Sequence, residues 1–169
     1  MLPHARVGGI AGLLELLRDR GGREDLFRLS EELVMDVEDL LPILEACVVL
    51  GFALLKEGDV QITPQGIEFA DADIQRRKVL FREAALERVT ILKQIDSILK
   101  RKVDHSINDE FFHDILDEHF AEDEVQRQFE TALNWGRYAE IFDYDREKNL
   151  LIQPEPPATA DAPVNGAAP

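Results

Sequence analysis

The chain has 169 residues, 45% of them hydrophobic and 31% charged, which suits one compact domain or two very small ones. Its 34 acidic residues against 19 basic ones give a formal net charge of −15, and the stretches on either side of residue 80 are both acidic. That balance argues against nucleic acid and anionic membrane surfaces, both of which are bound through Lys and Arg. There is no apolar run of about 18 residues to span a bilayer. The start, MLPHARVGGIAG, lacks the basic residues and apolar run of a signal peptide. The single cysteine, Cys47, has no partner for an internal disulfide. Together these features indicate a cytoplasmic protein of bacterial type.

In chain order, Val7 to Arg18 places Ile10, Leu13, Leu14 and Leu17 at helical spacing, and Gly21-Gly22 stops the helix. Arg23 to Leu33 reads as a second helix, with Asp25 as its N-cap. Asp36 to Leu50 reads as a third, with Pro42 near its first turn and Gly51 just past its end. The period then falls to about two, so Phe52 to Leu55 and Val60 to Thr63 form a hairpin around Glu57-Gly58-Asp59. Thr63-Pro64 opens a helix. Ile67 to Lys102 follows as one long helical pattern or two joined helices, with any break near Thr90. Ser106 is expected to cap a helix from Ile107 to about Phe120, with Asp109 and Glu110 in its first turn. Another starts at Glu122 or Asp123 and runs past Trp135 and Tyr138. Phe142 to Tyr144 and Leu150 to Ile152 form a last hairpin. From Gln153 the Pro/Ala-rich run cannot bury enough apolar area to order itself and is expected to be a disordered tail.

The expected fold is therefore mainly α with small β-hairpins: winged-helix-like units, two in tandem joined by a long helix. The expected divisions are 1–80, 81–152 and the tail 153–169. A winged helix suggests DNA, but no Lys or Arg lies between Leu29 and Leu55, where Glu31, Glu32, Asp36, Glu38, Asp39 and Glu45 are all acidic. The equivalent second helix offers Arg127 and Arg137 among Asp123, Glu124, Glu130 and Glu140.

The strongest basic cluster is Arg76-Arg77-Lys78 with Arg82. It reads either as a solvated face paired with Asp71, Asp73 and Glu83, or as a docking site for an acidic surface or a phosphate. The string NWGRYAE, residues 134–140, sits in a dense aromatic set of Trp135, Tyr138, Phe142 and Tyr144. It suits either a helix end packed on the last hairpin or an exposed aromatic anchor. His113 and Asp117 share a helix face, but His119 lies off it and His105 precedes the helix, so no metal set converges. Cys47 lies on an apolar face and has no His or acid partner. No phosphate loop or Rossmann fingerprint is present. The reading is a non-enzyme without cofactor or metal.

The ordered pieces Gly12–Leu17, Asp25-Leu26 with Leu29, Asp39–Ile43, Leu50–Ala53, Gly58-Asp59, Thr63-Pro64-x-Gly66, Phe69-Ala70-x-Ala72-Asp73, Trp135–Glu140 and Phe142-x-Tyr144 resemble the AAA-associated C-terminal domain, over about residues 3 to 152. That domain typically follows the ATP-binding subunit of ABC importers in the nitrate, sulfonate and bicarbonate class. The resemblance implies a regulatory or assembly role beside that ATPase, whose own domain this chain lacks. Met1 and the natural-looking tail favour a free-standing protein acting in trans over an excised domain. The implied partners are the ATP-binding subunit and the permease, with a homodimer a further option. Its place would be the cytoplasm, at the inner face of the membrane through the transporter. The residues expected at the partner are Arg76, Arg77, Lys78, Trp135, Arg137 and Tyr138. The alternative is a winged-helix transcription regulator binding DNA.

Overall fold

The computed structural model describes residues 1–118 and 120–154. Its first element, α1 (Val7–Asp19), buries Ile10, Leu13, Leu14 and Leu17 on one face. Gly21 and Gly22 end it at positive φ, donating to the carbonyls of Arg18 and Leu17 in a Schellman cap. Residues expected to open the second helix instead form a short strand, β1 (Arg23–Asp25). Asp25 still caps α2 (Leu26–Leu33), accepting from the N–H groups of Phe27 and Arg28. α3 (Val37–Val49) closes on Gly51 in a second Schellman cap. Pro42 lies inside α3, past the first turn, and leaves the Glu38 carbonyl without its helical donor.

β2 (Ala53–Lys56) and β3 (Asp59–Ile62) turn through Glu57 and Gly58, both at positive φ as a two-residue hairpin requires. β1 pairs with β3, Arg23 opposite Gln61 and Asp25 opposite Asp59, which gives an antiparallel sheet of order β1-β3-β2. Thr63 then opens α4 (Pro64–Asp71). Its hydroxyl accepts from Gly66 N–H at 3.1 Å and donates to the Gly51 carbonyl at 2.7 Å.

The long helical pattern breaks twice. Ala72 leaves the helix, and Asp73 caps α5 (Ile74–Arg88) through the N–H of Arg76. Val89 then separates α5 from α6 (Thr90–Arg101), beside Thr90 as expected. The remaining elements are β4 (Ser106–Asn108), α7 (Glu110–Asp117), α8 (Glu122–Tyr138), β5 (Asp143–Asp145) and β6 (Leu150–Ile152). Ser106 is not a cap: it lies in β4 and its hydroxyl donates to Asp104, while Asn108 accepts from Glu110 N–H at the start of α7.

The second sheet has the order β4-β6-β5. Helix, strand, helix, helix, hairpin, with the first strand joined to the last, thus occurs twice, and it is the element order of a winged helix. The fold is mainly helical with two small antiparallel sheets. The division expected between residues 80 and 81 falls inside α5, where Leu80 and Phe81 are both buried. The expected tail lies outside the described residues from 155 onward.

α5 stands between the two halves, packed on α4, α6 and α8. Phe52 stacks on Phe69 at 4.9 Å, Phe69 meets Phe81 at 6.4 Å, and Phe81 meets Trp135 edge-on at 5.6 Å. This aromatic chain makes the two halves share one continuous core.

Candidate partner-docking site

α8 draws the candidate site together. Glu122, Asp123 and Glu124 fill its first turn, where the positive end of the helix dipole favours acids. Its inner face buries Val125, Phe129, Ala132 and Trp135. Along another side runs the N-terminal arm, residues 2–7, held by a ladder of polar contacts. Leu2 N–H donates to Gln128 Oε1 at 2.7 Å, and Gln128 Nε2 donates back to the Leu2 carbonyl at 2.9 Å. Trp135 Nε1 donates to the Ala5 carbonyl at 2.7 Å, and Val7 N–H to Asn134 Oδ1 at 3.2 Å. His4 Nε2 meets Glu124 at 3.0 Å. Burial pushes the Glu124 carboxyl up, but the hydrogen bonds of Gln128 and His4 outweigh it and hold the group below the usual range.

Between this arm, α8 and the β5–β6 hairpin lies a groove of about 850 Å³. Arg137 and Tyr138 line it. Arg137 Nε donates to Asp143 Oδ1 at 3.0 Å, and Tyr138 meets Phe81 edge-on at 5.3 Å. Loss of solvent pushes the Tyr138 hydroxyl up from its ordinary pKa. Arg6, Arg127 and Arg146 also line the groove and form no ion pair among the described residues. Glu130, Glu140 and Asp143 share the same walls, so the surface is of mixed sign.

A smaller depression of about 390 Å³ lies next to it, lined by Arg76, Lys78 and Arg82. Glu140 belongs to both and links them. It stands at φ 53° just past the end of α8. Lys78 Nζ bonds its carboxylate at 2.7 Å, and Arg82 donates to its carbonyl. Two cations of α5 therefore sit at the negative end of the α8 dipole. Arg76 pairs with Glu68 at 2.7 Å. The sequence-based pairing with Asp71, Asp73 and Glu83 is replaced by Glu68, Glu140 and, for Arg82, Asp96 at 3.7 Å.

Two expected docking residues are elsewhere. Trp135 is 0% exposed and has no surface for a partner; it is a core residue. Arg77 turns to α4 and α1 instead. It donates to the carbonyls of Phe69 and Ala70 at the end of α4, pairs with Glu15 of α1 at 2.7 Å, and lies over the Phe69 ring. Sequence reasoning missed Arg6 and Arg146, which reach the groove only through the docked arm and the hairpin. The apolar residues of the arm, with Leu2, Pro3, Ala5 and Val7 buried, are the signal that could have found the first.

Among the described residues no three His, Cys, Asp or Glu side chains converge as metal ligands. His113 packs on Phe129 at 4.7 Å, and His105 Nδ1 donates to the Leu99 carbonyl at the end of α6. His119 lies outside the described residues. Cys47 is buried, and loss of solvent pushes its thiol up to about 12. No helix among the described residues is long and apolar enough to cross a membrane. On the exposed side of α3 stand Glu38, Asp39 and Glu45 beside Val48 and Val49, a surface without positive charge.

No curated protein and no solved structure matches the chain. A family profile, the C-terminal AAA-associated domain, matches residues 27–145, from α2 through β5. That span takes in α8, the smaller depression and the Glu140 junction, while Arg6 and Arg146 of the larger groove lie outside it, and the chain belongs to this family of domains that accompany ATPases.

Proposed function

We propose that the chain is a non-catalytic accessory module of an ABC importer of the nitrate, sulfonate and bicarbonate class. It associates with the ATP-binding subunit, and through it with the permease, at the cytoplasmic face of the membrane, and sets the ATPase rate or assembly. The family match over residues 27–145 carries this reading. The docking surface is the double depression around Glu140, with Arg76, Lys78, Arg137 and Tyr138 as its contact residues. Its mixed charge suits a protein surface, which meets both signs, better than a polyphosphate. Two winged-helix-like units, joined through α5, present it.

The test is binding and ATPase rate of the purified ATP-binding subunit with and without the chain. The rate should change on addition, and Arg137→Glu should weaken binding about tenfold, equivalent to about 1.4 kcal/mol, with an unchanged melting temperature. No binding at micromolar concentrations and an unchanged rate would refute it. A second reading, a DNA-binding regulator, has one observation in its favour: α8 stands in the recognition-helix position, with Arg6, Arg127 and Arg146 beside it and in no ion pair among the described residues. It requires a DNA complex whose affinity falls steeply with salt.

A further inference from the structure

α6 packs on α5 and α7 on α8, and a groove of about 460 Å³ lies between α6 and α7. Ile107 and Leu151 line its floor, with Ile91 and Ile98 of α6 on one wall and Phe111 and Ile115 of α7 on the other. Phe111 remains 44% exposed on the lip. The rims carry opposite charge. On α6, Lys93 and Arg101 form no ion pair among the described residues, and Lys100 stands beside them paired to Asp96. On α7, Glu110 and Asp114, next to Phe111 and Ile115, are exposed and form no ion pair among the described residues.

We propose that this groove is a self-association surface, and that its occupant is the same groove of a second copy of this chain. A two-fold axis along the groove lays α6 of one copy over α7 of the other. Each basic rim then meets an acidic rim, and each Phe111 enters the opposite apolar wall. An axis across the groove would set like rims together. The pattern is thus self-complementary in one arrangement, as an isologous contact requires. Two copies at −15 repel at long range, and this face is where the local charges oppose that repulsion. α6 is 12 residues long, roughly 18 Å. Two such helices cover less than the roughly 800 Å² per partner of a standard interface, so the proposed contact falls in the small, transient class.

The experiment is sedimentation velocity on the full chain from low micromolar to millimolar concentration, at about 0.1 M salt, where the Debye length is about 10 Å. Wild type should shift from monomer to dimer. Lys93→Glu with Arg101→Glu, and separately Glu110→Lys with Asp114→Lys, should each weaken the dimer at least tenfold. A mixture of the two variants should recover it as a heterodimer. Phe111→Asp should abolish it while the circular dichroism melt stays unchanged. A wild type that stays monomeric at millimolar concentration overturns the proposal. So does a dimer indifferent to these changes, or a mixture that fails to pair. None of these results bears on binding to the ATP-binding subunit, which is tested separately.

Discussion

Trp135→Phe tests whether the N-terminal arm and α8 form one structural unit. The indole is fully buried, edge-on to Phe81 at 5.6 Å, and its N–H reaches the Ala5 carbonyl at 2.7 Å. Phenylalanine keeps most of the apolar contact but leaves that carbonyl without its donor, at about 1–3 kcal/mol. The void left by the smaller ring adds about 1 kcal/mol. The sum is near 3 kcal/mol, and a chain of this size loses about 2–4 °C in melting temperature per kcal/mol. The melt followed by far-ultraviolet circular dichroism should therefore fall by roughly 6–12 °C. Hydrogen exchange at residues 2–7 should rise more than exchange in β2–β3. Partner binding measured below the lowered transition should be unchanged, because the ring has no surface to offer. A variant melting within 2 °C of wild type, or one that loses the partner while melting normally, would refute the reasoning.

Gly136→Ala places its Cβ 2.2 Å from the ring of Phe142, which is itself buried, and Gly66→Ala places one 2.0 Å from the Phe52 carbonyl oxygen. Each should cost about 3 kcal/mol in urea unfolding, whereas Gly12→Ala, with nothing within 4 Å in the middle of α1, should gain about 0.5–1 kcal/mol. Alkaline pH should destabilise the fold through two groups. Burial raises Cys47 from 9.0 to about 12, and burial with the hydrogen bond and charge of Asp109 raises Tyr144 from 10.0 to about 12. Both bind their protons more tightly when folded, so their stabilisation is complete below pH 9 and lost as pH rises toward about 12. Urea midpoints between these limits should fall, and Tyr144→Phe should remove the part that begins near 10; a flat profile would contradict the assignment.

Periodicity, glycine stops and cap residues made most of the helices and both hairpins legible in the sequence. The capping reading succeeded at Asp25, Thr63 and Gly51, because one side chain or one positive φ decides a helix end. The two strands that were missed, β1 and β4, are the same element of each half. Three residues are too few for alternation to show, and what makes Arg23–Asp25 a strand is pairing with Gln61 to Asp59, far along the chain. Ser106 was misread for the same reason: a hydroxyl before an apolar residue looks like a cap until β6 is there to pair with it. Asp73 was hidden by its neighbours, since one more acid on a charged helix face does not announce a new N-terminus. Arg137 and Tyr138, singled out from a distinctive string, line the groove, but burial of Trp135 within the same string was not legible. Side-chain direction on a helix depends on which neighbours pack against it, here the arm and α5.

The basic cluster on α5 shows how charge in an acidic chain divides between structure and recognition. Arg77 is tied to α1 and α4, Lys78 to the end of α8, and Arg82 to both α8 and α6. Lys78 and Arg82 share Glu140 at the end of α8, Arg77 turns to α1 and α4, and together they hold the helices that frame both halves. Exposed ion pairs are worth at most about 1 kcal/mol each, but guanidinium groups capping helix carbonyls also satisfy acceptors that would otherwise lack donors. A loss of partner binding on mutating Arg77 or Arg82 would therefore report on the placing of α8 before it reported on contact. Around the α8 groove, Arg6, Arg127 and Arg146 form no ion pair among the described residues. They come from an arm, a helix and a hairpin turn. That separation in sequence is why a local cluster drew attention first, although the groove draws its cations from three separate elements.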